Sequence, residues 1–564
     1  ALAHATKLVL QQGLSAKQVM ERIGAAKKGH WDHLLAAARA HEARRPSRRQ
    51  DRASRAQARA SLGDISGACR VIAGIPCHPV QLDAIRALFP ASSRALPVPL
   101  APPLGQWAHA QSGNWVGACR RAREAAQPPE QRAGAWVLAT MGALGGICSA
   151  PGPDGLRCGH IRVATGVLGP DVARRLAHLT DLLTDGLVSD PALGDVAIHP
   201  VPKEDGGIRP IGCGSVIRRA AARLANDALL KQLGSELEQG GQMAVAQDGT
   251  RRAHKRVRGL VDRGFSLLHL DVKNAFGTIE RDAILANIPD VPGSHFARWL
   301  YSRPTRAFHA RDPSRPFNID RGVIQGCAFA SLLFSVALTR ALKDGLPQVL
   351  PAPPVGASDA AYSEDQVYVV AYADDVYLAA KSNAALHRTA VGFCDGIRPL
   401  GLALADKSEL MLGNDALVSD PLLQLTRDRV VTCMRVLGAP IAPPGSRRNG
   451  EEEGVLATIM ERAREKVNAI ADFRDPQHIV RALSLAGSWC RVEHAVSLAS
   501  ECPRAGLAEL EEAEAAVLQK ALGPWGDDLD ADGWAIATLP TRLGGLGLRS
   551  PTAEAPQHAE FTSK

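Results

Sequence analysis

Two adjacent carboxylates, Asp374 and Asp375, lie at the centre of the stretch VYVVAYADDVYLAA, residues 367–380. Apolar and β-prone residues lead up to the pair and away from it, which predicts a β-hairpin with the acidic pair at its tip. Two carboxylates at a tight turn cannot both ionise comfortably unless a cation lies between them. Mg²⁺ prefers hard oxygen ligands and usually takes one or two carboxylates together with phosphates. The stretch therefore predicts a magnesium site, with a polar turn that merely contains two aspartates as the alternative.

Two further segments precede this hairpin in the chain, and together with it they favour a metal site over an ordinary polar turn. Residues 265–276 read FSLLHLDVKNAF, in which a short buried strand is closed by Asp271 and Phe276 follows five residues later. Residues 322–334 read GVIQGCAFASLLF, a polar loop that continues as an apolar helix. The chain thus presents a strand ending in Asp, a Gln-Gly loop with its helix, and an Asp-Asp hairpin, in that order.

This order resembles the palm of reverse transcriptases. Asp271 matches the family's first metal-binding aspartate, and residues 372–375, Tyr-Ala-Asp-Asp, match its YxDD box. Phe276 matches the aromatic gate, and Gln325-Gly326 matches the Gln-Gly of the template and nucleotide loop. Within the family, the chain looks most like the enzymes of non-LTR retrotransposons, over roughly residues 60–550. The supporting strings are SAPGPDGLRCGHIR at 149–162, PVPKEDGGIRPIG at 200–212, QGCAFASLLF at 325–334, GLALADKSE at 401–409, RVLGAP at 435–440 and LPTRLGGLGLRS at 539–550.

The resemblance implies an α+β fold of the right-hand polymerase type. It would have fingers, a palm built on an antiparallel sheet and a helical thumb, preceded by a mainly helical N-terminal extension. The expected divisions are a basic Ala/Arg-rich helical arm at 1–60, a helical extension at 61–145, fingers at 146–261, the palm with part of the fingers at 262–440, a helical thumb at 441–525 and a C-terminal tail at 526–564.

The resemblance also implies a metal-dependent nucleotidyl transfer. Asp271 and Asp374 would be the primary ligands of two Mg²⁺ ions, for which Mn²⁺ is an alternative. Asp375 would be a supporting carboxylate, and the backbone carbonyl of Val272 would complete one coordination sphere. Such ions activate a primer 3′-hydroxyl and neutralise charge on the leaving pyrophosphate. Lys407 would protonate that pyrophosphate, and a plain surface lysine is the alternative reading of the same residue.

The predicted substrate contacts come from the fingers and from the palm. Lys203 and Arg209 flank the turn EDGG, so a hairpin would carry a cation on each arm. In the resemblance these residues hold the incoming triphosphate, for which Lys supplies a point charge and Arg a fork; a surface hairpin with ordinary salt bridges is the alternative. Phe276 would lie under the sugar and exclude a 2′-hydroxyl, which predicts deoxynucleotide substrates. The predicted substrate-binding set is completed by Gln325, Gly326 and Tyr372.

The charge balance fits a nucleic-acid partner without proving one. Lys plus Arg number 66 against 58 Asp plus Glu, so the net charge is +8 and the pI about 9.0. Between residues 39 and 59, eight arginines face only Glu42 and Asp51. This arm would either grip RNA phosphates or be a solvated or disordered charged segment. The basic run at 247–260 would either line the template path or form a solvated helix face. The expected partners are an RNA template, a DNA primer or target, and dNTPs.

Several classes of protein are disfavoured by composition. The 11 cysteines include no CxxC pair, so a structural zinc site and a disulfide framework are not expected. Apolar runs of about ten residues are too short to span a bilayer, so no membrane partner is expected. We expect an intracellular protein, and a nuclear one if it acts at chromosomal DNA. The Pro-rich stretches at 96–105 and 347–364 predict a linker and an exposed loop. Nothing in the sequence indicates the oligomeric state.

Two other functions stay open at this point. An RNA-directed RNA polymerase shares the palm but usually carries a second acid near the position of Phe276 and a Gly-Asp-Asp hairpin, and both are absent here. A catalytically decayed scaffold that only binds RNA need not retain its acids, yet all three stand in this chain. Gly277 replaces the Asp or Asn that often follows the aromatic gate, and Ala330-Ser331 stands where relatives commonly carry Ser-Pro. These departures leave room for a weakened copy.

Overall fold

The structure is a computed structural model of the 564-residue chain. It describes residues 150–562 with gaps at 169, 189, 204–206, 292, 311, 347, 414–419, 524–525 and 527–528, together with residue 142 and scattered positions between 17 and 94. Most of the predicted basic arm at 1–60 and most of 61–145 lie outside the described residues, as does the whole predicted linker at 96–105.

Helices account for most of the described chain. Those before residue 430 are α1 (Ile65–Ile72), α2 (Leu82–Ala87), α3 (Cys158–Leu168), α4 (Pro170–Thr184), α5 (Val216–Gln239), α6 (Gly249–Asp262), α7 (Ala275–Thr278), α8 (Arg281–Asn287), α9 (Ser294–Tyr301), α10 (Ala330–Gly345), α11 (Asn383–Ile397) and α12 (Asp420–Thr426). Those after it are α13 (Pro444–Arg448), α14 (Glu451–Asn468), α15 (Pro476–Ala486), α16 (Ser488–Leu498), α17 (Arg504–Leu522), α18 (Ala531–Thr538) and α19 (Pro551–Thr562).

The strands form three sheets. They are β1 (Val196–Pro202), β2 (Ile208–Gly214), β3 (Ser266–Asp271), β4 (Thr305–His309), β5 (Asp312–Ile319), β6 (Leu350–Pro351), β7 (Tyr368–Tyr372), β8 (Asp375–Ala380), β9 (Glu409–Met411), β10 (Met434–Val436) and β11 (Ala439–Ile441). A five-stranded sheet has the order β6-β7-β8-β3-β9, a four-stranded sheet the order β2-β1-β4-β5, and β10 pairs only with β11. We call the five-stranded sheet the central sheet.

The central sheet is covered on both faces because its middle strands carry apolar residues on both sides. Along β3, Leu268 and Leu270 belong to a large core shared with α5, α10 and α11, whereas Leu267 belongs to a second core that includes residues of α6. Alternate side chains of a strand point to opposite faces, so each face of the sheet packs into its own core. This burial fixes the register of the sheet, since a slip by one residue would exchange its two faces.

The longest helix ends where the chain must turn back toward the central sheet. Ser215 caps the start of α5, because its side-chain oxygen accepts a hydrogen bond from the backbone of Arg218 at 3.1 Å. Gly240 follows the last turn, and Gly241 has a φ of +87°, a left-handed conformation that glycine adopts without steric cost. A Cβ on Gly241 would lie 3.1 Å from the carbonyl oxygen of Val369, so the chain passes close against β7 here.

The C-terminal helices α14, α15 and α17 enclose a core of their own, which includes Val467, Leu483 and Leu518. Residues of α1, far earlier in the chain, pack into the same core. The buried carboxylate of Glu452 in α14 joins these helices to α6. It lies 3.0 Å from Arg258 of α6 and also accepts hydrogen bonds from the backbone and the side chain of Ser500. Burial raises the pKa of Glu452, but the hydrogen bond from Ser500 and the charge of Arg258 outweigh it and hold that pKa below its usual range.

Two expectations from the sequence can be judged at this level. The α+β class is confirmed by the mixture of helices with largely antiparallel sheets. The insert at 347–364 is not simply an exposed loop, because Leu350–Pro351 pairs in parallel with β7 and adds an edge strand to the central sheet. Within the part of the chain that the structure describes, no helix is both long and apolar enough to cross a membrane. The domain boundaries expected from the sequence stay a prediction.

Candidate active site

The acidic hairpin has the form that the sequence predicts. In the antiparallel pair of β7 and β8, Tyr372 lies opposite Asp375, so Ala373 and Asp374 form a two-residue loop. Ala373 has a φ of +53°, in the left-handed region that two-residue hairpin loops require. Asp374 therefore lies in the loop itself, and Asp375 is the first residue of the outgoing strand.

The third carboxylate reaches the same place from the neighbouring strand. Asp271 is the last residue of β3, and it lies directly opposite Asp375 in the antiparallel pair of β3 and β8. Directly opposed residues have Cβ atoms about 4.5–5.5 Å apart. Three carboxylates, contributed by two adjacent strands and the loop between β7 and β8, thus meet at one end of the central sheet.

Two of the three carboxylates, Asp271 and Asp374, have a pKa above the usual value for aspartate. Burial raises the pKa of Asp374 to about 6, and the charges of Asp375 and Asp271 add to the increase. Burial also raises the pKa of Asp271, and the charge of Asp375 raises it further, while His269 and Lys407 oppose the change. Such a cluster concentrates negative charge that a cation would neutralise.

His269 holds one of these carboxylates, and we did not identify this residue from the sequence. Its Nε2 lies 3.1 Å from Oδ1 of Asp375, whose side chain is 40% exposed. The imidazole ring stacks on the ring of Tyr377, with centroids 4.8 Å apart. A signal was available, because His269 and Asp271 are two residues apart in a strand and therefore share a face.

The hairpin of β1 and β2 presents the two predicted phosphate-binding cations. Val201 pairs with Arg209, and the backbone N–H of Lys203 donates to the carbonyl of Gly207 at 2.8 Å, which closes the hairpin end. Both cationic residues are exposed, and residues 204–206 between them lie outside the described chain. The charge of Lys203 lowers the pKa of Asp374, so its ammonium lies within electrostatic reach of the acids.

The Gln-Gly loop docks onto the same hairpin. The carbonyl of Gln325 accepts a hydrogen bond from the backbone N–H of Gly212 at 2.7 Å. Gly326 has a φ of +94°, and a Cβ there would lie 2.9 Å from the side chain of Ile211. The structure thus brings together the Gln-Gly loop and the strand that carries Arg209, as the predicted substrate site requires.

The predicted aromatic gate is firmly packed. The ring of Phe276 stacks on that of Phe334 in α10, with centroids 5.0 Å apart and an interplanar angle of 18°. The carbonyl of Phe276 accepts a hydrogen bond from Val323 at 2.7 Å, which ties it to the segment that leads into the Gln-Gly loop. These contacts restrict how far the ring could move to admit a larger sugar.

The unusual Gly277 after the gate has a structural explanation. A Cβ on Gly277 would lie 2.3 Å from the carbonyl oxygen of Leu88, just after α2. The same carbonyl accepts a hydrogen bond from the side-chain amide of Asn274 at 2.6 Å. Glycine at 277 therefore makes room for an earlier segment of the chain that packs against this turn, and it need not signal decay.

The three remaining predicted residues, Val272, Lys407 and Tyr372, differ in their exposure and in their contacts. Val272 is buried and forms an antiparallel bridge with Leu404. Lys407 is exposed, and its charge acts on Asp271. The hydroxyl of Tyr372 accepts a hydrogen bond from Thr250 of α6 at 3.1 Å, which places it against that helix. Tyr372 thus has a contact that anchors the hairpin, beside the substrate role predicted for it.

The basic run at 247–260 contains ion pairs that its sequence did not predict. Within α6, Arg252 pairs with Glu238, Arg258 lies 3.0 Å from Glu452, and Arg251 lies 3.8 Å from Glu493. These acids belong to α5, α14 and α16. The three arginines therefore join α6 to neighbouring helices through ion pairs.

The donor set suits a hard divalent cation that substrate helps to hold. Among the described residues, no group of three or more His, Cys, Asp or Glu side chains is already arranged to hold a metal ion. Mg²⁺ commonly uses one or two carboxylates and takes its other ligands from water and substrate phosphates. Partly buried carboxylates with raised pKa values, beside a cationic hairpin suited to phosphates, match such a partly protein-built site.

Comparison with known proteins agrees with this geometry. Residues 201–441, which contain the acids, the Gln-Gly loop and most of the β1–β2 hairpin, match the family described as "Reverse transcriptase (RNA-dependent DNA polymerase)". Residues 201–441 are thus similar to a reverse transcriptase domain. The α+β right-hand polymerase fold expected from the sequence is confirmed.

Similar solved structures are telomerases of two yeasts. Apo telomerase from Candida tropicalis truncated from the C-terminal domain has a TM-score of 0.31 and 12% identity, over 45% of this chain and 55% of that one. Telomerase from Candida albicans in complex with the TWJ fragment of telomeric RNA has a TM-score of 0.31 and 10% identity, over 60% of this chain and 61% of that one. Apo telomerase from Candida tropicalis has a TM-score of 0.32 and 10% identity, over 60% of this chain and 63% of that one. The chain thus spans 55 to 63% of the length of these structures. No curated protein sequence matches this chain.

Proposed function

We propose that this protein is an RNA-directed DNA polymerase that adds deoxynucleotides to a primer 3′-hydroxyl. The observation that carries the proposal is the meeting of Asp271, Asp374 and Asp375 at one end of the central sheet. These acids lie within electrostatic reach of Lys203 on the β1–β2 hairpin. A metal-bound triphosphate needs carboxylates to hold the metal ions and cationic side chains to hold the phosphates, and this site offers both.

The three carboxylates would hold two Mg²⁺ ions, with Mn²⁺ as an alternative. Asp271 and Asp374 are the proposed primary ligands, Asp375 the supporting one, and the Val272 carbonyl a further donor. When bound, such ions lower the pKa of a hydroxyl nucleophile and neutralise charge on the leaving group. His269 contributes by holding Asp375 in place through its 3.1 Å contact.

The other residues bind and select the nucleotide. Lys203 and Arg209 would contact the triphosphate, and the docked Gln325-Gly326 loop would support the nucleotide and template. The stacked ring of Phe276 would meet a 2′-hydroxyl and so favour deoxynucleotides. Lys407 would deliver a proton from its Nζ to the leaving pyrophosphate. Fixed charges aimed at the reacting phosphates supply most of the rate in phosphoryl transfer.

The proposed partners follow from this chemistry. They are an RNA template, a DNA primer or target, and dNTPs. The motif strings favour an origin in a non-LTR retrotransposon, for which action at chromosomal DNA would imply a nuclear location.

Primer extension tests the proposal directly. The purified chain is given an RNA template annealed to a DNA primer, Mg²⁺, and either dNTPs or rNTPs. We expect extension with dNTPs and little with rNTPs. Preferred extension with rNTPs would instead identify an RNA polymerase, and the absence of any extension, with RNA binding retained, would identify a scaffold.

A further inference from the structure

One side chain outside the predicted site is bound directly to the acidic hairpin. Gln242 lies three residues after the end of α5 and is 0% exposed. Its Oε1 accepts a hydrogen bond from the backbone N–H of Ala373 at 2.8 Å, and its Nε2 donates to the carbonyl of Ala373 at 3.4 Å. The side-chain amide thus pairs with both backbone groups of the residue that immediately precedes Asp374.

The Gln242 side chain is itself held by its surroundings. Its backbone N–H donates to the carbonyl of Leu237 at 2.9 Å, and its Oε1 also accepts from Ala244 at 3.2 Å. The preceding carbonyl, that of Gly241, accepts from Ala371 of β7 at 2.9 Å. The backbone around Gln242 is therefore hydrogen-bonded both to the end of α5 and to β7, and these bonds hold the side-chain amide in place.

The residue that Gln242 binds is one that needs support. Ala373 has a φ of +53°, and a residue with a Cβ in the left-handed region carries a steric cost. Ala373 is also only 8% exposed, so solvent cannot readily replace a lost hydrogen-bond partner. Backbone in such a conformation persists only where the surrounding structure holds it.

We propose that Gln242 is a positioning residue, which sets the location of Asp374 for the divalent cation by fixing both backbone groups of Ala373. The inference rests on the proposed polymerase function and extends it to a residue outside the acidic motifs. Asp374 and Asp271 repel each other, so without this support the loop can relax outward and separate the carboxylates. The consequence is a weaker cation site in a protein whose fold is otherwise intact.

Binding of Mn²⁺ to the full chain, followed by electron paramagnetic resonance, measures this effect without requiring catalysis. The test variant is Gln242→Met, which keeps the length of the side chain and removes its hydrogen bonds. The control is Met243→Leu at the neighbouring buried position, whose side chain makes no hydrogen bond to the hairpin. Thermal unfolding and circular dichroism establish that each variant is folded.

We expect Gln242→Met to weaken Mn²⁺ binding about tenfold, equivalent to about 1.4 kcal/mol, as for the loss of a buried hydrogen-bonded partner. Hydrogen exchange in the peptide that contains residues 367–380 should accelerate, because the Ala373 amide loses its acceptor. Met243→Leu should change neither measurement. In primer extension, the half-saturating Mg²⁺ concentration should rise by a similar factor while the KM for dNTPs at saturating Mg²⁺ stays unchanged.

An Mn²⁺ affinity within twofold of wild type in folded Gln242→Met would overturn the inference, as would a wild-type chain that binds no Mn²⁺. If Gln242→Met does not fold, Gln242→Asn replaces it, since its amide is one methylene too short to reach both groups and the same loss is expected. Failure of the polymerase proposal gives a different pattern, in which wild type binds Mn²⁺ but extends no primer.

Discussion

Removing one of the three acids should make the metal-free protein more stable. Burial raises the pKa of Asp374 from 3.8 to about 6, with added repulsion from Asp375 and Asp271. A raised pKa in the folded state means that ionisation of this group opposes folding. Asn at position 374 has nearly the same shape and no charge, so Asp374→Asn removes that penalty while it also removes a proposed metal ligand.

The size and pH range of the effect follow from the two pKa values. Their difference corresponds to about 3 kcal/mol at 1.36 kcal/mol for each pKa unit. Because Asp374 is partly exposed, we reduce the expected gain to about 2 kcal/mol. Between pH 3.8 and about 6 the folded state binds more protons than the unfolded state, so the stability of the wild-type chain falls as the pH rises. The advantage of Asp374→Asn should therefore be absent near pH 4 and complete above pH 6.

Urea unfolding in EDTA at pH 4 and at pH 8 measures this difference. Asp365→Asn is the matched control, because Asp365 is exposed on the segment before β7 and its replacement should change stability by less than about 0.5 kcal/mol. Addition of Mg²⁺ should stabilise wild type more than Asp374→Asn and so narrow the gap. If Asp374→Asn is no more stable than wild type at pH 8 in EDTA, the carboxyl group of Asp374 is not buried beside two other acids as described above.

Three further substitutions test separate parts of the structure. Phe276→Val should raise the ratio of rNTP to dNTP incorporation at least about tenfold in single-nucleotide extension, and an unchanged ratio would refute the gate. Gly277→Ala should lower the free energy of unfolding by about 1–3 kcal/mol, because its Cβ meets the Leu88 carbonyl, and full stability would show that this contact is absent. Glu452→Gln should cost about 3 kcal/mol by thermal or urea unfolding, since Arg258 keeps its charge and is only 15% exposed, whereas equal stability would contradict the buried ion pair.

The hairpin could be predicted from sequence because its determinants are local. Alternation of apolar residues around Asp374 and Asp375 requires two strands with a short loop, and the register of β7 and β8 follows from loop length. The pairing of Asp271 with Asp375 is not local, and only the order of motifs anticipated it. The burial of both strands fixes that pairing, which a sequence pattern alone does not specify.

Residues that act across the fold escaped prediction. Gln242 precedes Ala373 by 131 positions, and its segment GGQM indicates only the end of a helix. The cations of α6 were visible as a basic run, but their partners Glu238, Glu452 and Glu493 become neighbours only in the folded chain. Side-chain hydrogen bonds and ion pairs between distant segments depend on how the helices and strands pack. The hydrophobic periodicity of the sequence predicts those elements but not their partners.

Primer extension on an RNA template, compared between wild type and two variants, tests the central claim most directly. Asp271→Asn removes the carboxylate at the end of β3 and Asp374→Asn removes the one in the β7–β8 loop, and both keep the side-chain shape. The account predicts dNTP-dependent extension by wild type and at least about a thousandfold loss in each folded variant, as when charge stabilisation is removed from a phosphoryl-transfer site. Extension that survives either substitution, or a wild-type chain that extends no primer, would contradict it.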